Sequence, residues 1–276
     1  MTVTETDIPS DIFVSDWNAW HTLRDKTFSE PLGWLSLTAL HWLVDVDSTF
    51  PDLPGTWRAD QDAVIITAEL SDDLSVDGFA VDGSATLTPV EGAPGLIVKH
   101  GPRLVEVIRR TGNVALRIHD SSAPALVQFS GIPTFAPRSE WIIEGVFTAF
   151  PQARTVTTGA VVPGLEHHHD ARGTINFEYD GSTRELIAFA GRDDGFHVLF
   201  TDTTSGVSTY PAARSLHVSA PVPGGAVVLD FNRASNLPCA FTDYATCPVA
   251  PAENRLPFAV DAGEKTPEGR SGRALS

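Results

Sequence analysis

TINFEYDGSTRELIAFAGRDDGFHVLF, residues 174–200, decides the fold class. Side chains alternate between the two faces of an extended chain, so Ile175, Phe177 and Tyr179 share one face. Asp180-Gly181-Ser182 supplies turn chemistry, and 185–190 runs back as a second extended segment. Phe196, Val198 and Phe200 then repeat the same period. Turns this short leave no room for a crossover helix, so the strands are antiparallel.

The same grammar continues on both sides. VIIT lies within 60–68, and segments 103–110 and 114–119 flank Thr111-Gly112-Asn113, a hairpin turn. Segment 141–150 alternates, and 215–219 and 226–231 complete the set. Strands recur about every ten residues with turn signals between them, which is the pattern of an all-β sandwich or distorted barrel. One helix is expected, over 10–28. Ser10 or Ser15 would cap it, Asp11 and Asp16 suit its positive end, and Phe13, Trp17, Trp20 and Leu23 form its apolar stripe. The apolar run GWLSLTALHWLV (33–44) reads as a buried strand. The expected organisation is one β-rich domain over 10–265, with room for a subdivision near 133–137, followed by a Gly/Ser/Arg/Pro-rich disordered tail at 266–276.

Charge narrows the partners. The chain has 276 residues and a formal net charge of -16, so nucleic acid and anionic membranes would repel it. The start, MTVTETDIPSDIF, lacks a basic and an apolar region of signal-peptide type, and no apolar run is long enough to span a bilayer. The expectation is a cytoplasmic protein whose partner is a small molecule, with no cofactor; nothing in the pattern implies an oligomeric state. Segment 45–91 is densely acidic, which reads as a solvated face or as a surface for a cation or basic partner. Lys99, Arg103, Arg109, Arg110 and Arg117 cluster over the hairpin, as an anion-binding face or as salt-bridged strand residues. GxSxG, GxxxxGK[ST], GxGxxG and HExxH are all missing, which argues against common serine hydrolases, P-loop enzymes, Rossmann dehydrogenases and zincins.

The densest polar stretch is DFNRASNLPCAFTDYATCPVAPAENRLPFAVDAGEK, residues 230–265. Its prolines hold it extended or turned, so its polar groups must satisfy one another or a ligand. As a ligand site, Arg233 or Arg255 would pair a carboxylate or phosphate, with Asn232, Asn236 and Asn254 fixing orientation. As architecture, the same residues would pin a coil to the sheet. Tyr210 and Arg214, in FTDTTSGVSTYPAARSL (200–216), would face the cavity beside Asp230. In an enzyme Asp230 would be the general acid or base, Glu264 the second carboxylate, and Arg214 or Arg255 the stabiliser of negative charge. Cys239 reads as a nucleophile or as a small buried hydrophobe; Cys239 and Cys247 lack zinc-finger spacing. EHHHD (166–170) reads as a loop whose His167 and His169 would face one side if extended, as a metal pair or as a solvated segment. His100, His119, His197 and His217 have no assigned role.

GWLSLTALHWL (33–43), LRIHD (116–120) and the 200–216 and 230–265 stretches resemble the prokaryotic family catalogued as domain of unknown function 1684, over roughly residues 17–265. The resemblance implies emphasis on Thr209, Tyr210, Arg214, Asp230, Asn232, Asn236, Cys239, Thr242, Cys247, Asn254, Arg255, Glu264 and Lys265, and no particular reaction. The chain departs from the pattern at Ser235, where the family has Tyr, and at Leu237, where it has Pro. If that aromatic lines a pocket, the pocket here is larger or more polar. The leading functional reading is a small-molecule-binding protein, a hydrolase or isomerase acting on an anionic or polyhydroxy ligand. Its rivals are a non-catalytic interaction module and a metalloenzyme using 166–170.

Overall fold

A computed structural model describes residues 11–270, so Ser10 and the tail residues 271–276 lie outside the described residues. The fold is all-β, with one long helix, α1 (Asp11–Phe28). The chain divides into two compact units, Lys26–Ser130 and the remainder, Met1–Asp25 with Gly131–Ser276.

The Lys26–Ser130 unit packs two antiparallel sheets face to face. Its strands are β1 (Leu37–Trp42), β2 (Ser48–Phe50), β3 (Leu53–Asp60), β4 (Ala63–Ala68), β5 (Leu74–Val76), β6 (Phe79–Ala80), β7 (Gly83–Leu87), β8 (Leu96–His100), β9 (Arg103–Arg110) and β10 (Asn113–His119). One sheet runs β1-β10-β9-β8-β5-β6 and the other β2-β3-β4-β7. Trp57, Val64 and Ile66 from the smaller sheet meet Val98, Val105, Val107, Leu116 and Ile118 from the larger, in one core. The expected β9–β10 hairpin is present, with Thr111 at φ 51 and Gly112 at φ 77, both left-handed as its tight turn requires. The apolar run 33–44 becomes a 3-10 turn at Trp34–Ser36 and then β1.

Three basic residues of that hairpin are paired, and Arg110 donates to the Arg109 carbonyl. Arg103 bonds Asp120 at 2.8 Å, Arg109 meets Asp62 at 2.7 Å, and Arg117, buried, bonds Glu106 at 3.3 Å. Glu106 also accepts the Gly95 N–H at 3.2 Å. A Cβ on Gly95 would fall 2.3 Å from the Glu106 side chain, so glycine is needed there for the approach. Burial pushes the Glu106 carboxyl up, but His119, Arg117 and the Gly95 N–H outweigh it and hold it down at about 2.

The other unit is one curled, seven-stranded sheet with α1, through Asp25, as its helix. The strands are β11 (Ile142–Gly159), β12 (Glu166–Tyr179), β13 (Ser182–Ala190), β14 (Phe196–Phe200), β15 (Arg214–Val218), β16 (Ala226–Asp230) and β17 (Ser235–Asn236), in the order β16-β11-β12-β13-β14-β15-β17. Register shifts at Ala149/Arg154 and Ala171/Gly173 bend the long strands. At Gly173 a Cβ would lie 2.1 Å from the Thr148 carbonyl, which explains the glycine at that bend. The curl brings β15 against β16 without a hydrogen-bonded ladder between them. Ile175, Phe177, Leu186, Val198, Phe200, Leu216, Leu229 and Phe231 fill the inside, so the alternation in 174–200 points inward as expected.

Two sequence expectations are corrected here. EHHHD is the start of β12, not a loop: His167, His168 and His169 pair with Thr158, Thr157 and Val156 of β11. The helix buries the expected stripe only in part: Phe13 and Trp20 are half-buried, but the last member is not. Leu23 is 62% exposed, while Trp17 is buried and donates its indole N–H to the Asn232 carbonyl at 2.8 Å. Polar anchors and apolar spacing together set the rotation of α1, with Arg24 rather than Leu23 turned inward, to Glu264. Thr266 and Arg270, from the expected tail, hydrogen-bond Ser208 and Asp243 respectively.

Candidate functional site

The coil after β16 is pinned to the sheet by its own polar side chains. Asn254 accepts the Ile187 N–H at 2.7 Å and donates to the carbonyls of Ile187 at 3.0 Å and Leu199 at 2.8 Å. It does so where β13 and β14 have diverged, since these strands pair only at Phe189↔His197 and Ala190↔Phe196. Asn254 therefore replaces a missing stretch of ladder. Asn232 does the same for Arg138, accepting its N–H and donating to its carbonyl, both at 2.9 Å. Asp230 caps the turn that follows β16 by accepting the Asn232 N–H at 3.1 Å.

Arg214 and Glu264 are interior ion-pair partners. Arg214 is 1% exposed, pairs with Asp202, donates to the Val260 carbonyl at 3.0 Å and lies 5.1 Å from the Phe200 ring centroid. Burial pushes its guanidinium down and Asp202 opposes the shift. Glu264, 0% exposed, takes the Arg24 guanidinium at 2.8 and 3.1 Å and the Asn236 N–H at 2.6 Å. Asn236 donates to the Lys265 carbonyl at 2.7 Å. Tyr210 is buried beside Arg270, and burial, helped by Cys239, pushes its hydroxyl up to about 12. Arg255 is exposed. The Cys239 N–H points at the Cys247 sulfur, 3.3 Å away, and both thiols are buried. Of the candidate catalytic and ligand-binding residues named from the sequence, Asp230 and Arg233 share an open cavity.

That cavity, of about 830 Å³, lies at the seam between β15 and β16. Its floor is the outward face of β14 and β15, carrying His197, Ser215 and His217; Ser235 of β17 adjoins Ser215. Val228 and Asp230 of β16 form one wall, and Trp20 and Arg24 of α1 another. Arg192 and Arg233 complete the rim. Nε2 of His197 and Oγ of Ser215 are hydrogen-bonded at 2.6 Å. Burial, with His217 and Arg192 adding to it, holds His197 down at about 4, so its ring is neutral at pH 7. Arg233 pairs with Asp16 and lies 3.2 Å from Asp230, whereas Arg192 has no carboxylate partner among the described residues. The arrangement offers a guanidinium, neutral imidazole and hydroxyls to one ligand, a set suited to a carboxylate or phosphate.

The sequence signal for this cavity was present in FHVLF and RSLHV. Removing the inward positions 196, 198, 200, 214, 216 and 218 leaves His197, Ser215 and His217 outward, and the register places His197 opposite His217. Two histidines of EHHHD are held by their neighbours. His167 contacts the Thr246 carbonyl at 2.6 Å, and His169 stacks on Phe189 at 4.6 Å and meets Thr158 Oγ at 3.0 Å. Burial first, and its neighbouring histidines second, hold His169 down at about 4. Among the described residues, no three His, Cys, Asp or Glu side chains come together as a metal site.

The sequence pattern of the family described as Protein of unknown function (DUF1684) matches residues 127–265. The chain belongs to this family. The match takes in β11 to β17 and the pinned coil, so the cavity lies within the family's segment except for its α1 wall, Trp20 and Arg24. No curated protein matches the chain. A solution NMR structure of an uncharacterized protein of Haloarcula marismortui is 28% identical to it, covering 52% of this chain and 80% of that one with a TM-score of 0.44. No helix among the described residues is long and apolar enough to cross a membrane.

Proposed function

We propose that this member of the family binds a small anionic molecule in the cavity between β15 and β16. The observation that carries the proposal is the hydrogen-bonded His197–Ser215 pair on the floor of a cavity rimmed by Arg192 and Arg233. A neutral imidazole and a hydroxyl orient an acceptor-rich ligand without repelling it, and Arg192, which has no carboxylate partner among the described residues, supplies charge. Calorimetric titration with inorganic phosphate and with acetate tests the proposal. Saturable binding is expected, weakened about tenfold in Arg192→Ala. Failure of both anions to bind sinks it.

The same pair supports a second reading, hydrolysis. A Ser215 hydroxyl donating to His197 Nε2 is the first half of an activated nucleophile, and Asp230 faces the same cavity. A base held at about 4 accepts a proton weakly, so binding is the stronger reading. Turnover of a p-nitrophenyl ester or phosphate that disappears in Ser215→Ala would reverse that order.

A further inference from the structure

A second cavity, of about 810 Å³, adjoins the first on the outer face of the same sheet. Ser219 and Val228 line both, so the two adjoin. Their chemistry differs. The second is apolar: Val146, Val222 and Val228 are 50%, 59% and 51% exposed, and Ala220 and Ala226 lie among them. Val146 and Val228 stand on an outward strand face, where polar residues are expected, and Val222 joins them from the connection between β15 and β16. Glu144 and Glu178 edge this groove, whereas the other cavity sets the guanidinium groups of Arg24, Arg192 and Arg233 against one carboxylate, Asp230. The polarity of the pair is therefore fixed. A negative head is repelled from the groove and drawn to Arg192 and His197, and an apolar tail has the opposite preference.

From this adjacency and charge pattern we infer that the ligand is an amphiphilic anion: a carboxylate or phosphate head in the seam cavity with an unbranched hydrocarbon tail along Val228, Val146 and Val222. The inference rests on the anion-binding reading above and names the substrate class of that site. The occupant is a monomeric amphiphile rather than a bilayer, because the head site is a recess at a strand seam and not a flat basic surface.

Unbranched carboxylates from acetate to decanoate, each below its micelle concentration, provide the test. Full burial of a methylene is worth about fourfold in affinity, so each added carbon should tighten binding by about two- to fourfold until the groove is filled. Val146→Glu should flatten that dependence and leave acetate binding unchanged; Arg192→Ala should weaken every chain length alike. Acetate and phosphate binding with no gain from chain length overturns the tail groove and leaves the anion site standing. Decanoate binding that neither variant changes overturns it too, as does binding to anionic phosphatidylserine vesicles with none to the monomers. If no anion of any length binds, the anion-binding reading falls and takes this inference with it.

Discussion

Nε2 of His197 and Oγ of Ser215 bond at 2.6 Å along a diagonal of the β14–β15 ladder, since the register pairs His197 with His217 and Ser215 with Leu199. Diagonal neighbours on one sheet face are within reach of a long side chain. The low His197 value, about 4, comes first from burial and only then from His217 and Arg192. Ser215→Ala should therefore leave His197 titrating low, while a bound anion should raise it. NMR observation of the His197 ring decides this; a midpoint near 6.5 in the free protein would contradict the burial argument.

Asn254 closes the gap between β13 and β14, so its loss leaves one N–H and two carbonyls without their partner. At about 1–3 kcal/mol for each unsatisfied buried group, Asn254→Ala should destabilise by at least about 3 kcal/mol. Asn254→Asp should be worse, because a carboxylate would face two carbonyls. Urea midpoints would show it, and an Asp variant more stable than the Ala variant would refute the bonding scheme.

The Arg214–Asp202 pair lies wholly inside the sheet. Asp202→Ala would strand a buried guanidinium and should cost about 3–5 kcal/mol. Arg214→Met combined with Asp202→Leu should regain much of that loss, since the site then demands no charge pairing. A double variant as unstable as Asp202→Ala would show that Arg214 is needed for its bonds to Val260 and Ala262 rather than for charge balance.

Acid should weaken the two units in different pH windows. His169 and His197 have folded values of about 4 against an ordinary 6.5, so the unfolded chain binds more protons between those limits. Their contribution is complete above about 6.5 and is lost as the pH falls toward about 4. Glu106, at about 2 against 4.5, contributes fully above 4.5 and loses its share as the pH falls toward 2. Amide exchange followed at decreasing pH should show β12 to β15 losing protection before β9 and β10. The reverse order would place the acid-sensitive groups elsewhere.

Cys239 is held far above the ordinary thiol range, first by its hydrogen bond to Cys247 and then by burial. A bulky thiol reagent at pH 8 should label neither cysteine in the folded protein and both after unfolding. Rapid labelling of Cys239 would restore it as a candidate nucleophile.

The fold was legible because its signal is local. Residues 174–200 carry period, turns and inward face together, and the Thr111-Gly112 turn needs only its own left-handed backbone. The beginning of β12 was not legible, because EHHHD has no apolar alternation; pairing with β11 makes it a strand. The site was harder still. Asn232, Asn254, Arg214 and Glu264 stand out in the sequence because an irregular coil needs polar partners, and nothing local separates that need from ligand binding. The cavity residues come from the outward positions of strands far apart in sequence, and they meet only because β15 and β16 end up side by side. Ser235 is one of them; Ser235→Tyr should fill the recess and abolish anion binding without unfolding the sheet.

The missing ladder between β15 and β16 has a consequence for how readily this site can change. A closed barrel fixes the spacing of neighbouring strands by main-chain hydrogen bonds, and no side chain can widen it. Here the spacing at the recess is set by what Val228, Ser215, His217 and Ser235 bring to the gap. The aperture is thus a side-chain property carried on a rigid frame, and single substitutions can resize it for another ligand while leaving the strand pairing intact.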